Sequence, residues 1–166
     1  GPDAVLDLVE PLLRRIGTNV IRVGTAEQAL VLKLAINVNL AAQLLALSEG
    51  MVLAEKAGID PALAARVMAD SAIGSPAVRI RAPRTLDPPR PPWFDIDAMR
   101  KDVRLALDTA HRYRVPLATA DTASAALHTA AERGYSHSDV AALYAALHGD
   151  GSRSGIARHA DARSLA

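Results

Sequence analysis

The stretch LVLKLAINVNLAAQLLAL (30–47) is almost wholly aliphatic, and it lies inside a proline-free segment from Thr25 to Ala57. Such a segment predicts one helix roughly 48 Å long at the α-helical rise, more than a small domain is wide. A helix that long and that apolar runs through the centre of a bundle or across a dimer interface. Thr25 and Gln28 have capping-box spacing, and Gly58 is suited to the C′ position. The run approaches membrane-spanning length, but Lys33, Asn37, Asn39 and Gln43 interrupt it too often for lipid. The expectation is a buried helix of a soluble, cytoplasmic protein, because the opening segment is acidic and amphipathic, unlike a signal peptide.

Composition narrows the fold class to all-α. Half the residues are hydrophobic, only 3% are aromatic, and much of the apolar content is alanine. That mixture suits closely packed helices better than a β-sandwich. With no cysteine, disulfides, thiolate metal sites and cysteine nucleophiles are excluded. Histidines 111, 128, 137, 148 and 159 have no metal-ligand spacing, so no metal is expected. A net charge of +1 gives no field favouring nucleic acid, and the arginines of 79–90 lack interleaved aromatics for stacking bases.

Around the long helix, periodicity predicts further helices. Residues 3–16 repeat at helical spacing, Asp60-Pro61 is an N-cap followed by N1, and 95–113 and 117–133 are amphipathic. A short helix fits 75–83, and Ser138 or Asp139 caps a last helix through Leu147. Prolines 83, 88, 89, 91 and 92 force an extended loop that ends at Trp93-Phe94, a loop anchor. Residues 19–23, NVIRV, read as a short strand, which needs a partner from another chain or from a sheet upstream. The Gly/Ser/Arg-rich segment 149–166 reads as a disordered tail.

Lys33 and Asn37 are one helical turn apart, so an ammonium and a carboxamide share a face where an unpartnered polar group is costly. They also head a longer pattern: Gly24, Lys33, Asn37, Glu49, Gly58-Ile59-Asp60, Gly74-Ser75, Phe94, Lys101-Asp102, Pro116 and Asp139. This pattern resembles the C-terminal domain of the β-hydroxyacid dehydrogenases, a family that includes 3-hydroxyisobutyrate dehydrogenase and tartronate semialdehyde reductase, with 6-phosphogluconate dehydrogenase more distant.

The resemblance implies a helical substrate and dimerisation domain over 24–148, and makes 1–23 the remnant of the end of an N-terminal Rossmann domain. It implies that Lys33 is the catalytic lysine, exchanging a proton with the substrate oxygen, and that Asn37 orients the substrate. Gly74, Ser75 and Phe94 become substrate-binding residues. Lys101 and its partner Asp102 become cofactor-binding residues, the cofactor being NAD or NADP. A homodimer and a small hydroxyacid substrate follow from the same likeness. Two positions depart from the pattern: glycines four and six residues before the lysine are replaced by Ala29 and Glu27. The only G-x-G is Gly149-Asp150-Gly151, with no strand before it, so no dinucleotide fingerprint is present and the chain alone is expected to be inactive. Two alternatives stand beside this reading. One is an imine-reductase-like domain, which usually carries a different residue where Lys33 stands; the other is a non-catalytic helical dimerisation module.

Overall fold

The computed structural model describes residues 2–148, so the tail expected at 149–166 lies outside the described residues. Seven α-helices follow one another: α1 Asp3–Ile16, α2 Ala26–Lys56, α3 Pro61–Asp70, α4 Pro76–Arg81, α5 Ile96–Tyr113, α6 Ala118–Ala130 and α7 Leu143–His148. Helix α2 has 31 residues, about 46 Å of rise, and α3, α5, α6 and α7 all pack along it. Its start is the predicted capping box: Gln28 N–H donates to Thr25 Oγ1 at 3.2 Å and Thr25 N–H to Gln28 Oε1 at 2.8 Å. The Gln28 side chain folds back over Gly24, where a Cβ would lie 2.1 Å from Oε1 and φ is +110°, so glycine is required there.

By length and hydropathy α2 also meets the criterion for a membrane span, with a mean hydropathy of 1.8 over its most apolar window. The central helix of a bundle meets the same criterion. One side of α2 supplies Leu44, Leu47, Ser48 and Met51 to the core, where they meet Ile96, Met99 and Val103 of α5 and Leu127 of α6. Val140, Leu143 and Tyr144 close the far end.

The loop after α4 is pinned by a buried carboxylate. Asp139 pairs with Arg81 at 2.5 Å and accepts from the backbone N–H groups of Trp93 at 2.9 Å, Phe94 at 3.2 Å and Ala141 at 3.0 Å. Ile96 N–H to Ser138 O at 3.0 Å and Val140 N–H to Phe94 O at 2.9 Å join the same two segments. Trp93 itself stays 54% exposed, with the guanidinium groups of Arg81 and Arg84 at 5.4 and 4.3 Å from its ring. Phe94, half-buried, packs on the core and anchors the loop.

Two sequence expectations need correction. Residues 19–23 form no strand, and among the described residues there is only an isolated bridge between Asp95 and Asp139. A strand is defined by its ladder, and no second extended segment lies beside NVIRV to form one. Arg22 instead ties this segment to α1, through Asp7 and Glu10, each at 2.6 Å. The last helix is shorter than expected, because Asp139 caps a 3₁₀ turn, Val140–Ala142, before α7 begins.

Candidate active site

Lys33 and Asn37 project from α2 towards α5, where both meet one carboxylate. Asp102 Oδ2 accepts from Lys33 Nζ and from Asn37 Nδ2, the latter at 2.6 Å. Its other oxygen, Oδ1, lies 3.2 Å from Lys101 Nζ. Asp102 is 2% exposed, in the same stripe of α5 as Met99, Val103 and Ala106, so this is a charge inside the core face of a helix. Burial is the strongest influence on its carboxyl and works against ionisation. The hydrogen bonds from Lys33, Lys101 and Asn37 together exceed that effect, and its pKa lies below the ordinary 3.8.

The triad is asymmetric in exposure: the Lys33 side chain is 49% exposed while that of Asp102 is 3%. Lys33 therefore presents an ammonium at the surface from a fixed, buried base. A carboxylate can only accept, so it commits Asn37 to donating its amide N–H₂ and leaves the amide oxygen for another partner. The arrangement can hold a carbonyl or hydroxyl oxygen of a small molecule against Lys33, with Asn37 beside it. The helix surface around Lys33 is less apolar than the aliphatic sequence implies, because Asp102 stands directly opposite.

The other residues singled out in the sequence lie elsewhere. Gly74 and Ser75 form the turn into α4. A Cβ at Gly74 would fall 1.9 Å from Ala69 O, so only glycine fits. Ser75 Oγ donates to Gln43 Oε1 at 2.5 Å, and Gln43 lies roughly 9 Å along the α2 axis beyond Asn37. Phe94 precedes α5, about two turns from Asp102. The structure thus brings Lys33, Asn37, Lys101 and Asp102 together, and places Gly74, Ser75 and Phe94 apart from them. Glu27, at one of the substituted glycine positions, bonds Arg112 at 2.8 Å, with Tyr113 Oη at 3.5 Å, and so joins the start of α2 to the end of α5. Sequence reasoning cast Asp102 as the partner of Lys101; its role as the hub for Lys33 and Asn37 was readable from its place in the apolar stripe of α5, where a lone carboxylate demands donors.

A protein family described as the NAD-binding domain of NADP-dependent 3-hydroxyisobutyrate dehydrogenase matches residues 28–147, which include the triad and nearly all of the bundle after α1. The chain belongs to that family. Among curated members, 2-hydroxy-3-oxopropionate reductase of Escherichia coli K12 is 30% identical over 147 residues, covering 89% of this chain and 50% of the relative. Glyoxylate/succinic semialdehyde reductase 2, chloroplastic, of Arabidopsis thaliana is 26% identical, covering 89% of this chain and 41% of the relative. The chain thus spans about half the length of the curated relatives it matches. The crystal structure of 3-hydroxyisobutyrate dehydrogenase from Salmonella typhimurium superposes with a TM-score of 0.80 at 28% identity, covering 87% of this chain and 51% of that one. The solved structure of the Mycobacterium tuberculosis 3-hydroxyisobutyrate dehydrogenase with L-serine gives a TM-score of 0.76 at 22% identity, covering 90% of this chain and 53% of that one, a likeness of fold.

Proposed function

We propose that this chain forms the substrate-facing domain of an NAD(P)-dependent 3-hydroxyacid dehydrogenase that interconverts a small hydroxyacid and its semialdehyde or keto acid. The observation that carries this reading is the convergence of Lys33 and Asn37 on buried Asp102, on a helix surface open at Lys33. Family membership and the names of the relatives agree with it.

In the reducing direction, the Lys33 ammonium donates a proton to the substrate carbonyl oxygen as the adjacent carbon gains hydride. In the oxidising direction, the neutral amine takes the hydroxyl proton. Asp102 acts as a positioning residue, holding Nζ and the Asn37 amide in register so that both reach one substrate oxygen. The residues fit one end of a nicotinamide dinucleotide: Lys101, with a side chain 57% exposed beside the triad, can meet an anionic group of the cofactor. They do not fit the whole of it, because the described residues offer neither a strand nor a glycine-rich turn to cradle a diphosphate. A bound nicotinamide supplies or accepts the hydride. Gly74, Ser75 and Phe94 are assigned here to the outer substrate pocket, formed once the cleft is complete.

The purified 166-residue chain is expected to show no turnover of small 3-hydroxyacids with oxidised NAD or NADP, or of semialdehydes with NADH or NADPH, as followed by nicotinamide absorbance. Turnover by the chain alone would contradict the division of labour proposed here.

A further inference from the structure

A second site lies on α5, on the side turned away from Asp102. Between α5 and α6 runs a groove of about 600 Å³, to which α5 contributes Arg100, Lys101 and Arg104 and α6 contributes Asp121, Ser124 and His128. The cations are not equivalent. Arg100 is engaged by Asp97 at 2.7 Å, with His128 Nδ1 at 3.2 Å from its guanidinium. Arg104, one turn further on, is exposed and has no hydrogen-bond or ion-pair partner among the described residues. Lys101 is half-exposed and shared with Asp102.

An unpaired guanidinium next to an exposed ammonium is the donor set that holds a phosphoryl group, the guanidinium supplying two parallel N–H donors and the ammonium a point charge. Across the groove, Asp121 and Ser124 are one turn apart on α6, and the Asp121 carboxylate also has no partner among the described residues. A free carboxylate repels a bare anion, yet it accepts hydrogen bonds from hydroxyl groups. The two walls therefore ask for different ends of one molecule.

We propose that the α5–α6 groove binds a small phosphorylated polyhydroxy compound, its phosphoryl group on Arg104 and Lys101 and its hydroxyls on Asp121 and Ser124. The same phosphoryl chemistry could come from a free sugar phosphate or from a dinucleotide's ribose phosphate. The inference shares Lys101 with the dehydrogenase reading and rests on it for the dinucleotide source alone; Lys33 and Asn37 do not line the groove. Lys101 lines the groove and also touches Asp102, so occupancy there would be felt at the triad.

The test is an amide NMR titration of the 166-residue chain at low salt with ribose 5-phosphate, inorganic phosphate, ribose and NADP. Saturable shifts confined to α5 and α6 are expected, with ribose 5-phosphate binding more tightly than inorganic phosphate and ribose not binding. Arg104→Ala should weaken ribose 5-phosphate by at least about tenfold, as fits the loss of a charge-assisted contact, while Arg104→Lys retains part of the affinity. Asp121→Ala should narrow the gap between ribose 5-phosphate and inorganic phosphate. Competition by NADP would assign the phosphoryl group to the dinucleotide; lack of competition would assign it to a free sugar phosphate. The proposal is overturned if no saturable shift occurs, or if a folded Arg104→Ala chain binds as well as the wild type.

Discussion

A carboxylate placed between Met99 and Val103 on the buried stripe of a helix is costly unless donors surround it, and Asp102 has three. The consequence appears in the pH dependence of stability. Because its folded pKa lies below the ordinary 3.8, the unfolded chain binds the proton first as the solution is acidified. The contribution of Asp102 is therefore complete above the unfolded carboxylate range and is lost as pH falls through the lower, folded value. Asp102→Asn should lower stability near neutrality by about 1–3 kcal/mol, the range for a charged hydrogen-bonded group losing its charge. Its denaturant midpoint should also fall less steeply than that of the wild type between about pH 5 and pH 3. Parallel curves for the two proteins would show that ionisation of Asp102 contributes nothing to the pH dependence of folding. Legibility at this scale was uneven. Lys33 and Asn37 stood out as polar interruptions of an aliphatic run, whereas Asp102 sat in the charged sequence DAMRKDVR and looked solvated until its phase in the α5 stripe was considered.

Helices were readable wherever periodicity and a cap coincided. The Thr25 capping box and the Asp60-Pro61 start both fall where spacing put them, and the amphipathic 95–113 is a helix from Ile96 to Tyr113. The strand at 19–23 was not, because β structure is a property of pairs and a single segment carries no record of its partner. The Asp139 bracket was half readable: the residue suits a helix cap, but the arrival of Arg81 and of the Trp93 and Phe94 N–H groups depends on how the proline-rich loop is routed. That bracket joins α4, the loop and the last helical segment through one carboxylate fully buried from solvent. Asp139→Ala should destabilise the fold by about 3–5 kcal/mol, since the mostly covered Arg81 and the N–H groups of Trp93, Phe94 and Ala141 would all lose their acceptor. Thermal or urea unfolding measures this, and a loss below about 1 kcal/mol, the level of a surface pair, would contradict it.

At the scale of the whole molecule, the long helix leaves apolar side chains uncovered. Leu30 is 55% exposed, Ile36 58% and Leu53 72%, and on α1 Leu8 and Ile16 are each 81% exposed. Exposed apolar surface on this scale marks an association face, and a homodimer is the proposed occupant. Sedimentation equilibrium should give a dimer of the 17.5 kDa chain, and Ile36→Asp should shift it towards monomer. A monomer at high concentration would refute the assignment. Overall architecture was legible because one apolar run too long for a small domain forces other helices to gather along it. The separation of Gly74, Ser75 and Phe94 from the triad was not, because sequence order does not record distance along a helix axis already committed to packing.

The most direct test of the proton-exchange role of Lys33 uses the protein encoded by the complete reading frame that contains these residues. With NAD or NADP and a small 3-hydroxyacid, the account predicts that Lys33→Ala lowers kcat by about 10²–10⁴-fold, the range for loss of a general acid–base group, while circular dichroism and cofactor affinity stay unchanged. A Lys33→Ala enzyme that turns over at the wild-type rate would contradict it.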